Sequence, residues 1–102
     1  MDIMITTEGD HPLVTLAGRF DAFETEAFRA ALDDLLDGDT STVSVDLHDV
    51  QFIDSSALAE LVRAMKHCRE AEGELFLHRL SDPVRVILEL TRLDAAFEIS
   101  EA

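Results

Sequence analysis

The 102-residue chain has one cysteine, no tryptophan or tyrosine, two prolines and four glycines. The lone Cys68 cannot form an internal disulfide and fits a reducing compartment. The glycines are too few for a phosphate-binding loop, and neither G-x-x-x-x-G-K-[ST] nor G-x-G-x-x-G occurs, so nucleotide binding has no local signature. No apolar run reaches the roughly 20 residues that span a bilayer, and no signal-peptide pattern is present. We therefore expect one compact cytoplasmic domain covering residues 1–102.

Basic residues are also scarce, since 8 lysines and arginines stand against 22 aspartates and glutamates, for a net charge of -14. Such a surface repels phosphate backbones and anionic lipid, so we expect neither nucleic acid nor membrane as a direct partner. It would attract a basic protein partner, with an association rate that falls as salt rises. Simple solubility explains the same charge, and both explanations stand at this point.

Residues suited to metal binding or catalysis are scattered. No two of the four histidines share ligand spacing with the cysteine, so a zinc site is not expected. His48 and the run Asp54-Ser55-Ser56 suggest a base and a nucleophile, but residues 53–57 lack the glycines of the G-x-S-x-G nucleophile elbow. We therefore expect a protein that is not an enzyme, with a hydrolase using Ser55 as the weakest alternative.

Apolar residues alternate or recur at helical spacing along the chain, which predicts strands and helices respectively. In chain order, the predicted elements are strands near 3–5 and 13–17, a helix after Asp21, a strand at 42–47, a helix after Asp54-Ser55-Ser56, a strand at 75–77, a helix from Ser81 and a strand at 97–99. Strand-helix-strand units favour parallel pairing, whereas the opening hairpin is antiparallel. The sequence therefore predicts a single α/β domain with a mixed β-sheet covered by about three α-helices.

Helix ends carry their own signals. Asp21 followed by Glu24 has the spacing of a capping box and predicts the start of the first helix. Gly38 predicts its end. Ser81-Asp82-Pro83 predicts the start of the third helix, because proline is tolerated at a first helical position.

The second helix is predicted to bury one apolar face. The residues that recur on this face are Leu58, Leu61, Val62, Met65 and Cys68. Glu60 lies mostly off the face, so Leu61→Ala is predicted to lower stability sharply and Glu60→Ala to change it little. Cys68 is expected to be a buried small hydrophobe and not a redox sensor.

A polar run, Asp54-Ser55-Ser56, interrupts the apolar pattern where the second helix begins. Aspartate and serine are preferred helix caps, so one of the three is expected to cap this helix whatever the function. A cap needs only one such residue, however, and this run lies at the sheet edge that usually carries ligands and partners. A phosphate on Ser55 would be favoured there by free backbone N–H groups and the helix dipole. The residues alone support a cap and a phosphorylation switch equally well.

Three segments succeed one another in a distinctive order: Gly18-Arg19-Phe20-Asp21, Val43-Ser44-Val45-Asp46-Leu47 and Phe52-Ile53-Asp54-Ser55-Ser56-Ala57-Leu58. This succession resembles the STAS domain family, and more narrowly the bacterial anti-sigma factor antagonists. The resemblance implies that the unphosphorylated protein binds an anti-sigma factor, itself a serine kinase, and so frees a sigma factor. Phosphorylation by that kinase would end the interaction, and a serine phosphatase would reset it.

The resemblance also implies a role for individual residues. Ser55 matches the phosphorylated serine, Asp54 would position its hydroxyl or contact the kinase, and Ser56 would cap the helix. Asp21 matches an acidic position on the partner-facing side. Ala57 stands in the same partner-binding stretch, where the family usually has glycine.

The same resemblance leaves one alternative role for the fold. A non-switching STAS subunit of a signalling scaffold, or of a lipid or anion transporter complex, would bind its partner constitutively and would not need a free Ser55 hydroxyl. As an antagonist the chain would need no cofactor of its own, because ATP and magnesium would belong to the kinase.

Overall fold

The computed structural model describes residues 1–37 and 39–100. Its strands and helices occur in the predicted order. They are β1 (Asp2–Glu8), β2 (His11–Phe20), α1 (Thr25–Leu35), β3 (Val43–Ile53), α2 (Ser55–Glu70), β4 (Leu75–His78), α3 (Asp82–Leu90) and β5 (Glu98–Ser100), with a short 3-10 turn at Leu93–Ala95 before β5.

The five strands form one sheet in the order β1-β2-β3-β4-β5. β1 is antiparallel to β2, and each later pair of neighbours is parallel. Only Gly9 and Asp10 separate β1 from β2, and Gly9 adopts a φ of 65° that other residues rarely take. Parallel neighbours need crossover connections, which α1, α2 and α3 supply in turn. The predicted α/β fold with a mixed sheet and three helices is confirmed.

The core lies between the sheet and the helices. Leu58, Leu61 and Met65 of α2 are buried as predicted, whereas Val62 is only partly buried. Cys68 is fully buried, and burial raises the pKa of its thiol to about 11. The thiol is therefore protonated at neutral pH and packs as a small apolar side chain. The largest fully buried side chains are Phe20, Phe28, Leu16, Leu32, Leu47, Leu61, Leu75, Leu77 and Leu88.

The predicted capping box at the start of α1 is wrong. The helix begins at Thr25, and its N-cap residue Glu24 makes no capping hydrogen bond with its side chain. Asp21 instead stabilises a turn before the helix. Its Oδ1 accepts a hydrogen bond from the Phe23 amide at 3.0 Å, and its carbonyl accepts one from the Glu24 amide at 2.9 Å. An aspartate is equally suited to a turn and to a cap, and here the turn forms.

Two other predicted helix ends have different outcomes. The start of α3 is confirmed, because Ser81 is its N-cap, its hydroxyl accepts from the Val84 amide, and Pro83 lies in the first turn. The predicted stop at Gly38 lies outside the described residues, and α1 ends earlier, at Leu35.

The expectation that Glu60 lies off the buried face is also wrong, since only 4% of this residue is exposed. Arg29 of α1 donates to its carboxylate at 2.8 Å through Nε, and Arg63 of α2 donates at 3.0 Å. Burial is the largest single influence and raises the pKa of Glu60, but the two arginines together hold it below its usual value. The carboxylate is therefore charged and links α1 to α2, a role that only tertiary packing reveals.

Candidate partner-binding site

The candidate site lies at the carboxyl edge of β2 and β3. These strands run side by side to their ends, where Phe20 pairs with Ile53. β3 extends to Ile53, six residues beyond the predicted strand end at Leu47, so that a single residue, Asp54, separates it from α2. The loop at 21–24 therefore lies next to the start of α2.

Asp54 holds these two segments together. It is the N-cap of α2, and its Oδ1 accepts a hydrogen bond from the Ala57 amide at 2.9 Å. Its Oδ2 accepts one from the Ala22 amide at 3.0 Å, and its own amide donates to the Phe20 carbonyl at 3.3 Å. One carboxylate therefore caps the helix and fixes the loop at 21–24.

The assignment of the cap to Ser56 is wrong for the same reason. Asp54 has the extended backbone of an N-cap residue, with φ -111° and ψ 180°, and helical geometry begins at Ser55. Because β3 stays extended as far as Ile53, the first residue able to turn into the helix is Asp54. Both serines are then free of the capping role, and both are exposed.

The other predicted site residues differ in accessibility. Asp21 is close by and partly exposed, with its Oδ2 3.7 Å from Nε of Arg19. Ala57 is fully buried, so its contribution is the amide that completes the cap, and its side chain does not form part of the surface. Ser56 lines a shallow groove between α1 and α2 together with Arg29 and Arg63.

A second serine, Ser44, lies between two histidines and has the opposite environment. Ser44, near the start of β3, is fully buried. Its hydroxyl lies 2.8 Å from Nε2 of His11 and 3.0 Å from Nε2 of His78. A modifying enzyme has no access to this hydroxyl in the folded chain, whereas it has access to that of Ser55.

Two exposed phenylalanines on the same edge were missed by the sequence interpretation. The Phe23 residue is 94% exposed, and Phe52 is 38% exposed with the Arg19 guanidinium 4.1 Å above its ring. Their position in the sequence could have indicated exposure, because both lie in a loop or at a strand end, outside the apolar periodicity of the neighbouring helices. Exposed aromatic residues near an accessible serine are suited to a protein partner.

His48 is not placed to act as a base for Ser55. His48 bonds to Asp49 at 3.0 Å on β3. The strand from His48 to Ile53 rises about 3.3 Å per residue, which puts this imidazole far beyond hydrogen-bonding distance of Ser55. Within residues 1–37 and 39–100, no group of three or more histidine, cysteine or acidic residues is placed to hold a metal ion. No helix in this part of the chain has the length and apolarity needed to cross a membrane.

Known proteins share both the sequence pattern and this architecture. The family model described as "Mlab, STAS domain" matches residues 3–99. The anti-sigma-B factor antagonist of Listeria monocytogenes is 32% identical over 90 residues, covering 88% of this chain and 79% of the relative. This chain therefore belongs to the STAS domain family.

Solved structures show the same fold at lower identity. An anti-sigma-factor antagonist (STAS) domain protein from Planctomyces limnophilus has a TM-score of 0.87 at 24% identity, covering 100% of this chain and 92% of the other. The Bacillus cell fate determinant SpoIIAA in its phosphorylated form has a TM-score of 0.76 at 18% identity, covering 98% of this chain and 92% of the other.

Proposed function

We propose that this chain is an anti-sigma factor antagonist, that it binds its anti-sigma factor through the edge around Ser55, and that phosphorylation of Ser55 ends the binding. The observation that carries the proposal is the position of Ser55, which is exposed at the first residue of α2, beside the loop that Asp54 holds. The name of the Listeria relative supports the class of partner. The protein acts by binding, in the cytoplasm where sigma factors work, and it catalyses no reaction.

A phosphate on Ser55 is compatible with the fold. Asp54 accepts hydrogen bonds from the amides of Ala57 and Leu58. Among the described residues, no hydrogen bond uses the amides of Ser55 and Ser56. These two N–H groups lie at the positive end of a 16-residue helix, which favours an anion. The nearby Asp54 carboxylate opposes a second negative group. These two effects oppose each other, so we expect the phosphorylated domain to stay folded with little change in stability.

The effect of the phosphate falls on the complex. Phosphorylation adds about 1.5 to 2 negative charges to the surface that the partner must cover. Like-charge contact at an interface costs several kcal/mol, and even ~2.7 kcal/mol weakens binding about a hundredfold. The kinase in this proposal is the anti-sigma factor itself, and a serine phosphatase restores the binding form.

A pull-down with and without ATP tests the proposal. Each purified anti-sigma factor of the source organism is used separately as bait. We expect ATP to release the unaltered protein, with one added phosphate found on Ser55 by mass spectrometry. Ser55→Ala is expected to stay bound with ATP, and Ser55→Asp to bind weakly without it. Ser56→Ala is the matched control, since its neighbouring hydroxyl is also exposed, and it is expected to be phosphorylated and released.

Two outcomes contradict the switch. If Ser55→Ala is still phosphorylated and released, the switch lies elsewhere, and Ser56 becomes the next residue to test. If ATP releases neither this variant nor the unaltered protein, the non-switching STAS subunit replaces the antagonist as the function of the chain.

A further inference from the structure

Phe23 is the most exposed large apolar residue that the structure describes, at 94%, against 76% for Leu90 on α3. A single exposed apolar side chain is common on protein surfaces. Phe23 differs from Leu90 in its place, because the turn that carries it lies next to the start of α2 at Ser55.

The turn that carries Phe23 is fixed on both sides. The Phe23 amide donates to Oδ1 of Asp21 at 3.0 Å, and the preceding amide of Ala22 donates to Oδ2 of Asp54 at 3.0 Å. On the other side, the Thr25 hydroxyl donates to the Ala22 carbonyl at 3.1 Å. The backbone is thus held while the ring stays in water, so a partner that covers the ring does not have to order the loop. Preorganisation of this kind lowers the cost of binding.

The position of Phe23 links it to the switch. The carboxylate that holds its loop is that of Asp54, which also caps the helix that begins at Ser55. A second exposed ring, Phe52, lies at the end of β3, one residue before Ile53. Aromatic side chains are enriched at the centres of protein interfaces, where they fill pockets from which water is excluded.

We propose that Phe23 is the aromatic anchor of the interface and inserts into an apolar pocket of the anti-sigma factor. This inference rests on the proposed function and names the residue that contributes most to it. The two carboxylates that hold the turn of Phe23, those of Asp21 and Asp54, require that the rim of the pocket be neutral or basic. An anchor contributes fully only when the contacts around it exclude water. A phosphate on Ser55 would bring a hydrated dianion next to the loop that carries Phe23, which explains how one modification ends the binding.

The test compares dissociation constants of three variants for the anti-sigma factor that the unaltered protein binds. Phe23→Ala is expected to weaken binding about 30-fold or more, as truncation of an interface hot spot does, and Phe23→Leu to weaken it less. Leu90→Ala, the matched control, removes a large exposed apolar side chain on α3 and is expected to change binding less than about threefold. Because the Phe23 ring is in water, the thermal midpoint of Phe23→Ala is expected to match that of the unaltered protein, which separates binding from folding.

The outcomes distinguish this inference from the function on which it rests. If the unaltered protein binds an anti-sigma factor and Phe23→Ala binds it within about threefold, the anchor is overturned and the antagonist function stands. If Leu90→Ala weakens binding as much as Phe23→Ala, the interface is not centred on Phe23, and the inference fails. If the unaltered protein binds no anti-sigma factor, both proposals fail.

Discussion

Replacing Glu60 with alanine tests whether a buried ion pair joins the two helices that support the candidate site. The truncation removes hydrogen bonds from Arg29 and Arg63 to a carboxylate that is only 4% exposed. Removing one partner of a fully buried pair costs about 3–5 kcal/mol. Here the side chains left behind are 54% exposed for Arg29 and 34% exposed for Arg63, so both can turn toward water. We therefore expect a loss of about 2 kcal/mol, since hydrogen bonds to charged groups contribute about 1.5–3 kcal/mol.

Urea denaturation measures this loss as a shift of the midpoint at constant slope, and thermal unfolding shows it as a fall of about 10 °C in a domain of this size. The matched control is Glu70→Ala, which removes an exposed glutamate from the same helix and is expected to change stability by less than about 0.5 kcal/mol. Equal midpoints for the two variants would refute the reasoning, because the pair would then contribute nothing to holding α1 against α2.

Glu60, Asp54, Cys68 and the net charge each give one further expectation. Acid should reduce the stability difference between the unaltered protein and Glu60→Gln. A carboxylate with a lowered pKa stabilises the fold at pH values above its ordinary pKa of about 4.5 and loses that effect as the pH falls through its folded pKa. A stability difference that stays constant from neutral pH down to the lowest pH at which the protein is folded would contradict this. Asp54→Ala should lower the free energy of unfolding by about 1–2 kcal/mol through loss of the cap, and Asp54→Asn should lower it less. Both variants should speed hydrogen exchange at the Ala22 amide. Unchanged exchange would mean that other contacts hold the loop. Cys68, with a thiol pKa of about 11, should react with Ellman's reagent at pH 8 more than about a hundredfold more slowly in the folded chain than in urea, and equal rates would place it outside the core. Association with the partner should slow as salt rises past about 0.1 M, with dissociation changing less, and a salt-independent association rate would leave the charge of -14 as a solubility device.

The sequence was sufficient for features that depend on local pattern. The order of strands and helices, the burial of four of the five predicted α2 residues and the cap at Ser81 are confirmed, because periodicity and terminal residues act within a few positions of the chain. The strand before α2 was predicted in the right place but too short, since its last residues, Phe52 and Ile53, follow a polar stretch that breaks the alternation.

Features that depend on contacts with a distant segment of the chain could not be predicted from the sequence. Glu60 looked like a surface residue because the arginine that helps to bury it, Arg29, comes from another helix. Asp54, Ser55 and Ser56 are all competent caps, and the length of β3 decided among them. Phe23 resembled any loop residue until its backbone hydrogen bonds and its 94% exposure were seen together.

The most direct test of the switch compares the dissociation constants of two forms of the protein for the same anti-sigma factor. One form carries phosphoserine at position 55, introduced during translation, and the other is unmodified. We expect the phosphorylated form to be folded, with a thermal midpoint close to that of the unmodified form, and to bind at least about a hundredfold more weakly. Equal affinity of the two folded forms would contradict it.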